Sequence, residues 1–188
     1  MSNYDEKNTM WRVWAAEQIK DLMSRRAMYS ANEERARELD ELWVSQPAHQ
    51  ATASFGRNYG YYVGLDAIRS YYVDAHQKRI DALNGVGYME CHAVSSPYVE
   101  LAEDGQSARG LWYSIGQETY PDENGHVRGL WVNDKIAADF LLEEDGWKIW
   151  HLVLSNDVWH PAGVPMMAMP DKLPQKMDWI RSEFGTPA

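Results

Sequence analysis

From Thr9 to Trp43 the apolar positions recur at helical spacing, at Trp11, Trp14, Ala15, Ile19, Leu22 and Met23, and again at Leu39, Leu42 and Trp43. A stripe returning every three to four residues marks a helix with one buried face, so this segment predicts two helices. The break falls near Ser30-Ala31-Asn32, where Asn32 is placed to cap the second, charged helix through Glu41. Residues 51–55 suit a short strand, and Gly64 and Asp66 introduce a third helix over 67–83 with Ile68, Tyr71, Tyr72 and Ile80 as its stripe. After Gly87 the period drops to two. Turn signals at Asp104-Gly105, Asn124-Gly125 and Asp145-Gly146 separate β-rich runs at 88–102, 107–119, 127–143 and 147–155, the pattern of a four-stranded antiparallel meander. The fold class that follows is α+β, with three N-terminal helices packed on one face of a strongly bent antiparallel sheet. Residues 1–157 form one domain. Residues 158–188, rich in Pro and Met, read as an extension with a short helix over 172–184, packing on the same domain or on a partner subunit.

Counting outward from two-residue hairpin loops sets Pro97 against Trp112 and Asp139 against Leu152, and the longer loop near Asn124 sets Trp112 near Ala137. That register puts Trp112, Ser114, Lys135, Ala137, Asp139, Trp150 and Asn156 on one face, and Leu111, Tyr113, Ile115, Phe140, His151 and Val153 on the other. Both faces are largely apolar. The helices cover one, so another subunit is expected to cover the second, as a dimer or trimer. The tetrapeptide RGLW, at Arg109–Trp112 and again at Arg128–Trp131, carries no similarity beyond its four residues. It reads as two independent uses of glycine beside a bulky ring, not as a duplication.

Composition narrows the function. The chain has 188 residues, nine Trp, eleven Tyr and a formal charge of -10. The aromatic excess suits a pocket for a hydrophobic small molecule, while the acidic balance argues against a nucleic-acid partner. No run is long and apolar enough for a membrane helix, and the polar start MSNYDEKNT is unlike a signal peptide, so the expected location is the cytoplasm. Cys91 is the single cysteine and the histidines lack ligand spacing; with no nucleotide-binding or GxSxG motif either, neither a metal nor an organic cofactor is expected.

Four polar residues stand out against apolar surroundings. Asp139 interrupts AADFLL, where lost hydration would weaken its acidity and fit it to donate a proton; Lys135 and Asn156 are its candidate partners on that face. His92 in MECHAVSSP is a candidate acid or base. Strict alternation puts it on the face opposite Asp139, whereas a bulge near Ser95-Ser96, signalled by Pro97, would turn it round. Arg26 and Tyr29 continue the inward stripe of the first helix, so Arg26 must meet an anion, either a protein carboxylate or an acidic substrate group. Tyr29 could hydrogen-bond a substrate oxygen, and Trp112 and Trp150 could pack against the substrate.

The order of these elements resembles the cone-shaped nuclear transport factor 2-like (NTF2-like) fold, and several stretches look like its SnoaL-like branch. They are IKDLMSRRAMYSANEERARELDELWV, VGLDAIRSYY, CHAVSSPYVELAEDGQSARGLWY and KIAADFLLEEDGWKIWHLVLSND, spanning roughly residues 15–157. The resemblance implies kinship with ketosteroid isomerases, polyketide cyclases, scytalone dehydratase and bile acid dehydratases, which move protons without metal or organic cofactor. By the same resemblance Asp139 occupies the place of the isomerases' pocket acid, and His92 that of the dehydratases' strand histidine. The Tyr and Asp that dehydratase-like members carry at the end of the first helix are replaced by Arg26 and Ala31. The implied function is a cofactor-free lyase or isomerase acting on a hydrophobic cyclic or aromatic molecule. The alternative is a non-catalytic small-molecule-binding or assembly module.

Overall fold

The computed structural model describes residues 6–58, 60–82, 86–121 and 124–162. Helix α1 spans Glu6–Ala31 and α2 spans Arg35–Leu42, with a break between them at the expected place. Asn32 does not cap α2. Glu33 takes a positive φ of 62°, Glu34 occupies the cap position, and no side chain bonds to the free amides there. A short helix α3, Pro47–Thr52, starts on the proline and takes the first part of the segment expected to be extended; strand β1 follows at Ser54–Arg57 and β2 at Gly60–Val63. The third expected helix is split into α4, Leu65–Arg69, a π-helical turn, Ser70–Ala75, and α5, His76–Ala82. Residues 163–188, including the helix expected over 172–184, lie outside the described residues.

The meander is present as β3, Met89–Leu101, β4, Ser107–Pro121, β5, Val127–Glu143, and β6, Gly146–Pro161. The last strand therefore runs past the expected domain end at 157. Among the described residues the sheet has six strands in the order β2-β1-β6-β5-β4-β3, because β1 joins the meander by pairing parallel to β6 while β2 pairs antiparallel to β1. The architecture is α+β, as expected, with one parallel pair in a sheet expected to be wholly antiparallel.

The inner face of the sheet and the helices share the core. Ala15, Ile19, Leu22 and Met23 of α1 and Leu39 and Leu42 of α2 pack with Trp112, Ile136, Ala138, Phe140 and Leu152. Glu143, at the closing end of β5, ties the segment between α2 and α3 to the sheet. Its carboxylate accepts from the backbone N–H and hydroxyl of Ser45 and lies 2.8 Å from His49 Nδ1. Burial works against that charge, but these bonds hold its pKa down at about 2.

The register corrects the expected faces. Trp112 lies opposite Ile136, and Asp139 opposite Arg109, one step from the expected alignment. The closing turn of β5 and β6 is Glu144-Asp145, since Glu143 pairs with Gly146. Because strand side chains alternate, a one-residue step exchanges the faces of an entire strand. Trp112, Ile136 and Phe140 therefore share the inner face, whereas Asp139 points outward with Leu111, Tyr113 and Ile115. The outer face exposes Tyr98, Leu111, Tyr113, Ile115, Trp131 and Val153. No helix among the described residues is long and apolar enough to cross a membrane.

The two RGLW segments do different work. A Cβ at Gly110 would collide with the Trp112 ring and lie 3.1 Å from the Tyr98 carbonyl oxygen, so this glycine leaves room for the indole over the strand. At Gly129 the nearest neighbour would be the Cβ of Ala162, at 3.2 Å.

Candidate functional site

On β3 the chain gains one residue between Ser95 and Tyr98, with Ser96 at a φ of 51°, so a bulge stands where Pro97 signalled one. Below it His92 faces inward, opposite Gly116 of β4. A Cβ at 116 would collide with the Cys91 carbonyl oxygen and stand 2.8 Å from His92 Cγ, so the missing side chain makes room for the imidazole. Two residues either way along β4, Ser114 and Glu118 point to the same face. Ser114 Oγ lies 3.3 Å from His92 Nδ1, and Glu118 Oε1 lies 3.2 Å from Nε2. With buried Glu118 accepting from Nε2–H, Nδ1 keeps its lone pair and accepts from the Ser114 hydroxyl.

Asp134 of β5 stands opposite both Ser114 and Asn156. It is 2% exposed, and Asn156 Nδ2 donates to its Oδ1 at 2.7 Å. Burial raises its pKa from 3.8 to about 6; Arg57, His92 and the Asn156 hydrogen bond hold the rise down, and Glu118 adds to it. The helices supply the opposite wall. Arg26 Nε lies 3.2 Å from Glu38 Oε1, and the Tyr72 hydroxyl donates to Glu38 Oε2 at 2.7 Å. Tyr72 is the buried residue of the π-helical turn, and burial beside Glu38 pushes its hydroxyl up to about 12. Arg35 pairs with Glu90, which also accepts from Tyr120 at 3.0 Å. Although burial opposes it, Arg35 keeps Glu90 well below the usual carboxylate range.

These groups surround a narrow cavity lined by Arg26, Arg35, Arg57, Tyr72, His92, Ser114, Glu118 and Asp134, with Val94 and Leu154 as apolar neighbours. It leaves about 40 Å³ for water centres. That is room for roughly three water molecules. Two of its charges are matched inside the protein, Arg26 by Glu38 and Arg35 by Glu90, while Glu118 accepts from His92.

The SnoaL-like domain family matches residues 11–153. The chain belongs to that family. Solved structures share its fold. An NTF2-like protein with a cystatin-like fold from Novosphingobium aromaticivorans is 16% identical, with 87% of this chain and 94% of that one covered at a TM-score of 0.59. The hexachlorocyclohexane dehydrochlorinase LinA-type3 of Novosphingobium barchaimii is 13% identical, with coverages of 85% and 97% and a TM-score of 0.57. A Mycobacterium tuberculosis protein described as of unknown function is 16% identical, with coverages of 95% and 90% and a TM-score of 0.58. No curated protein matches the chain.

Within this SnoaL-like domain only part of the expected constellation comes together. His92, Arg26 and Asn156 face the cavity region. Asp139 does not: it stands on the outer face, its side chain 50% exposed and 3.0 Å from His151 Nδ1, so the sheet separates it from His92. Lys135 is also outward, paired with Asp157 at 2.8 Å. Tyr29 donates to Glu41 at 2.6 Å, away from the cavity. Trp112 is a core residue packed edge-on against Phe140, with ring centres 5.8 Å apart. Trp150 is the extra residue at a bulge beside Asp139; it donates to Thr52 Oγ1 at 3.0 Å and stacks on His151. Arg26 meets a protein carboxylate, the first of its two expected alternatives.

Asp134, Glu118 and Ser114 were missed as a cluster for one reason, the register. Asp134 shares alternate positions with Ile136, Ala138 and Phe140, as Ser114 and Glu118 do with Trp112. Once Trp112 is set against Ile136, all three fall on the inner face beside His92.

Proposed function

We propose that this SnoaL-like protein is a cofactor-free lyase or isomerase that moves a proton between carbon and oxygen of a cyclic small molecule. His92 is the base. Glu118 holds its Nε2–H and steadies the imidazolium that forms when Nδ1, freed as the Ser114 hydroxyl rotates away, takes a proton. Asp134 is the acid. With its pKa raised to about 6 it keeps a protonated fraction of about a tenth at pH 7, able to donate to a leaving hydroxyl or an enolate oxygen.

The observation that carries this reading is a buried carboxyl of weakened acidity sharing one small cavity with an oriented imidazole. The cavity is large enough only for the reacting end of a cyclic substrate, and its polar lining, with Arg26 and Arg35 already paired, suits a hydroxyl or keto group there; the hydrophobic ring would remain outside it. The dehydrochlorinase among the structural neighbours carries out an elimination on this fold, which is consistent with lyase chemistry here. Because the exposed outer face is apolar, we also propose that a second copy of the chain covers it.

The test is a panel of hydroxy- and keto-substituted cyclic compounds, followed for loss of water or migration of a double bond. On a compound that is turned over, His92→Ala is expected to lower kcat at least a hundredfold. The wild-type rate should fall about tenfold per pH unit above 6, and Asp134→Asn should flatten that limb. Full turnover by His92→Ala ends the mechanism. A binding module is the second reading, favoured by the partners that both His92 nitrogens already have; ligand-induced thermal stabilisation without turnover across the panel would select it.

A further inference from the structure

Strand β1 ends at Arg57, which pairs with Leu154, and among the described residues the β1–β6 ladder goes no further, two residues short of Asn156. Asn58 fills that place with its side chain. Its Nδ2 donates to the Asn156 carbonyl oxygen at 3.0 Å, and its Oδ1 accepts from the Asn156 N–H at 3.2 Å. One amide thus imitates a strand neighbour for one residue of β6. That residue needs support, because the β5–β6 register shifts between Asn133 and Asp134, leaving Asp157 as the extra residue next to Asn156. A bulge loosens the ladder where it occurs. Asn156 engages its main chain with Asn58 and its side chain with Asp134, so the two contacts act through the same Cα.

We infer that Asn58 is a positioning residue for the cavity: by holding the main chain of Asn156 at the bulge, it keeps the Asn156 amide donating to Asp134. The catalytic consequence rests on the acid role proposed above for Asp134; the geometric claim does not. Asp134 also faces Arg57 from β1, His92 from β3 and Glu118 from β4. Of the groups that act on Asp134, Asn156 is the one whose main chain Asn58 hydrogen-bonds, and Arg57 is its neighbour in the chain.

The experiment follows the Asp134 carboxyl carbon by NMR in protein labelled at aspartate, assigned with Asp134→Asn, as pH is varied. An N–H donated to a carboxylate favours its charged form, so Asn156→Ala should move the midpoint up by about one pH unit. Asn58→Ala, which loosens that donor without removing it, should move it up by about half a unit. The double variant should go no further than Asn156→Ala alone, because Asn58 acts through Asn156. Asn58→Gln, with the amide on a longer stem, should shift the midpoint in the same direction and serves if Asn58→Ala melts too early to titrate. An unchanged midpoint in both Asn58 variants overturns the inference, as does a downward move, the sign of water reaching Asp134, or an additive double variant. This readout needs no substrate. A negative result for His92→Ala therefore removes the proposed chemistry and leaves the positioning role to stand or fall separately.

Discussion

Replacing Asp134 by Asn should make this protein more stable at neutral pH while impairing the proposed reaction. The carboxyl has a folded-state pKa of about 6 against an ordinary value of 3.8, principally because it is buried. Folding therefore raises its proton affinity by about two powers of ten. Each power of ten is worth about 1.4 kcal/mol, so keeping the ionised group buried costs up to about 3 kcal/mol. Since the folded state binds the proton more tightly, this group erodes stability as pH rises from about 4 to 6, and the full penalty persists above 6. An amide carries no such penalty, and its oxygen can still accept from Asn156 Nδ2. In urea titrations the advantage of Asp134→Asn over wild type should be near zero at pH 4 and grow to about 2–3 kcal/mol at pH 7. Comparing the two pH values cancels any constant effect of the substitution on packing. An advantage that stays flat between pH 4 and 7, or that shrinks as pH rises, would refute the buried-carboxylate reasoning.

The two copies of RGLW should respond differently to the same change. Gly110→Ala forces the Trp112 ring from its place and is expected to cost about 2 kcal/mol in urea unfolding, whereas Gly129→Ala should stay within about 0.5 kcal/mol of wild type. Sedimentation velocity should find the wild type as a dimer or trimer. Leu111→Lys with Ile115→Lys, both on the outer face, should yield monomers that remain folded by circular dichroism; a monomeric wild type would remove the proposed interface.

The first two helices and the meander were legible because local pattern determines them, whereas the helix Pro47–Thr52 and the π-helical turn at Ser70–Ala75 were not. The switch from a period near 3.6 to a period of two after Gly87, together with three Gly-containing turn signals, locates β3, β4 and β5 at nearly their observed limits, while β6 runs on past its expected end at 155 to Pro161. The bulge at Ser96 was legible for a similar reason, since Pro97 cannot donate to a ladder. The faces were not. They depend on which residues form each turn, and the β5–β6 hairpin turns on Glu144-Asp145 while its glycine remains in the ladder. That step, with the one-residue difference between β4 and β5, moved Asp139 out and brought Asp134 in. The parallel pairing of β1 was hidden as well, because contacts between residues 98 positions apart, such as Asn58 and Asn156, leave no trace in a local pattern. The helical stripe places Arg26 inward, in need of an anion, yet its partner Glu38 sits in the charged run EERARELDE and carries no mark of burial.

The long-range stitch between β1 and β6 also bears on the order in which the molecule assembles. Hairpins among β3, β4, β5 and β6 close short loops, but β1 can dock only after most of the chain has been gathered, and closing so large a loop is slow. Arg57 and Asn58 are therefore expected to arrive late, so the cavity matures after the scaffold that holds it. Amide protons at 54–57 should then gain protection in pulse-labelled refolding later than those of β4 and β5. With β1 docking last, changes at Arg57 or Asn58 are expected to leave the paired meander standing, so the cavity wall can vary without cost to that frame.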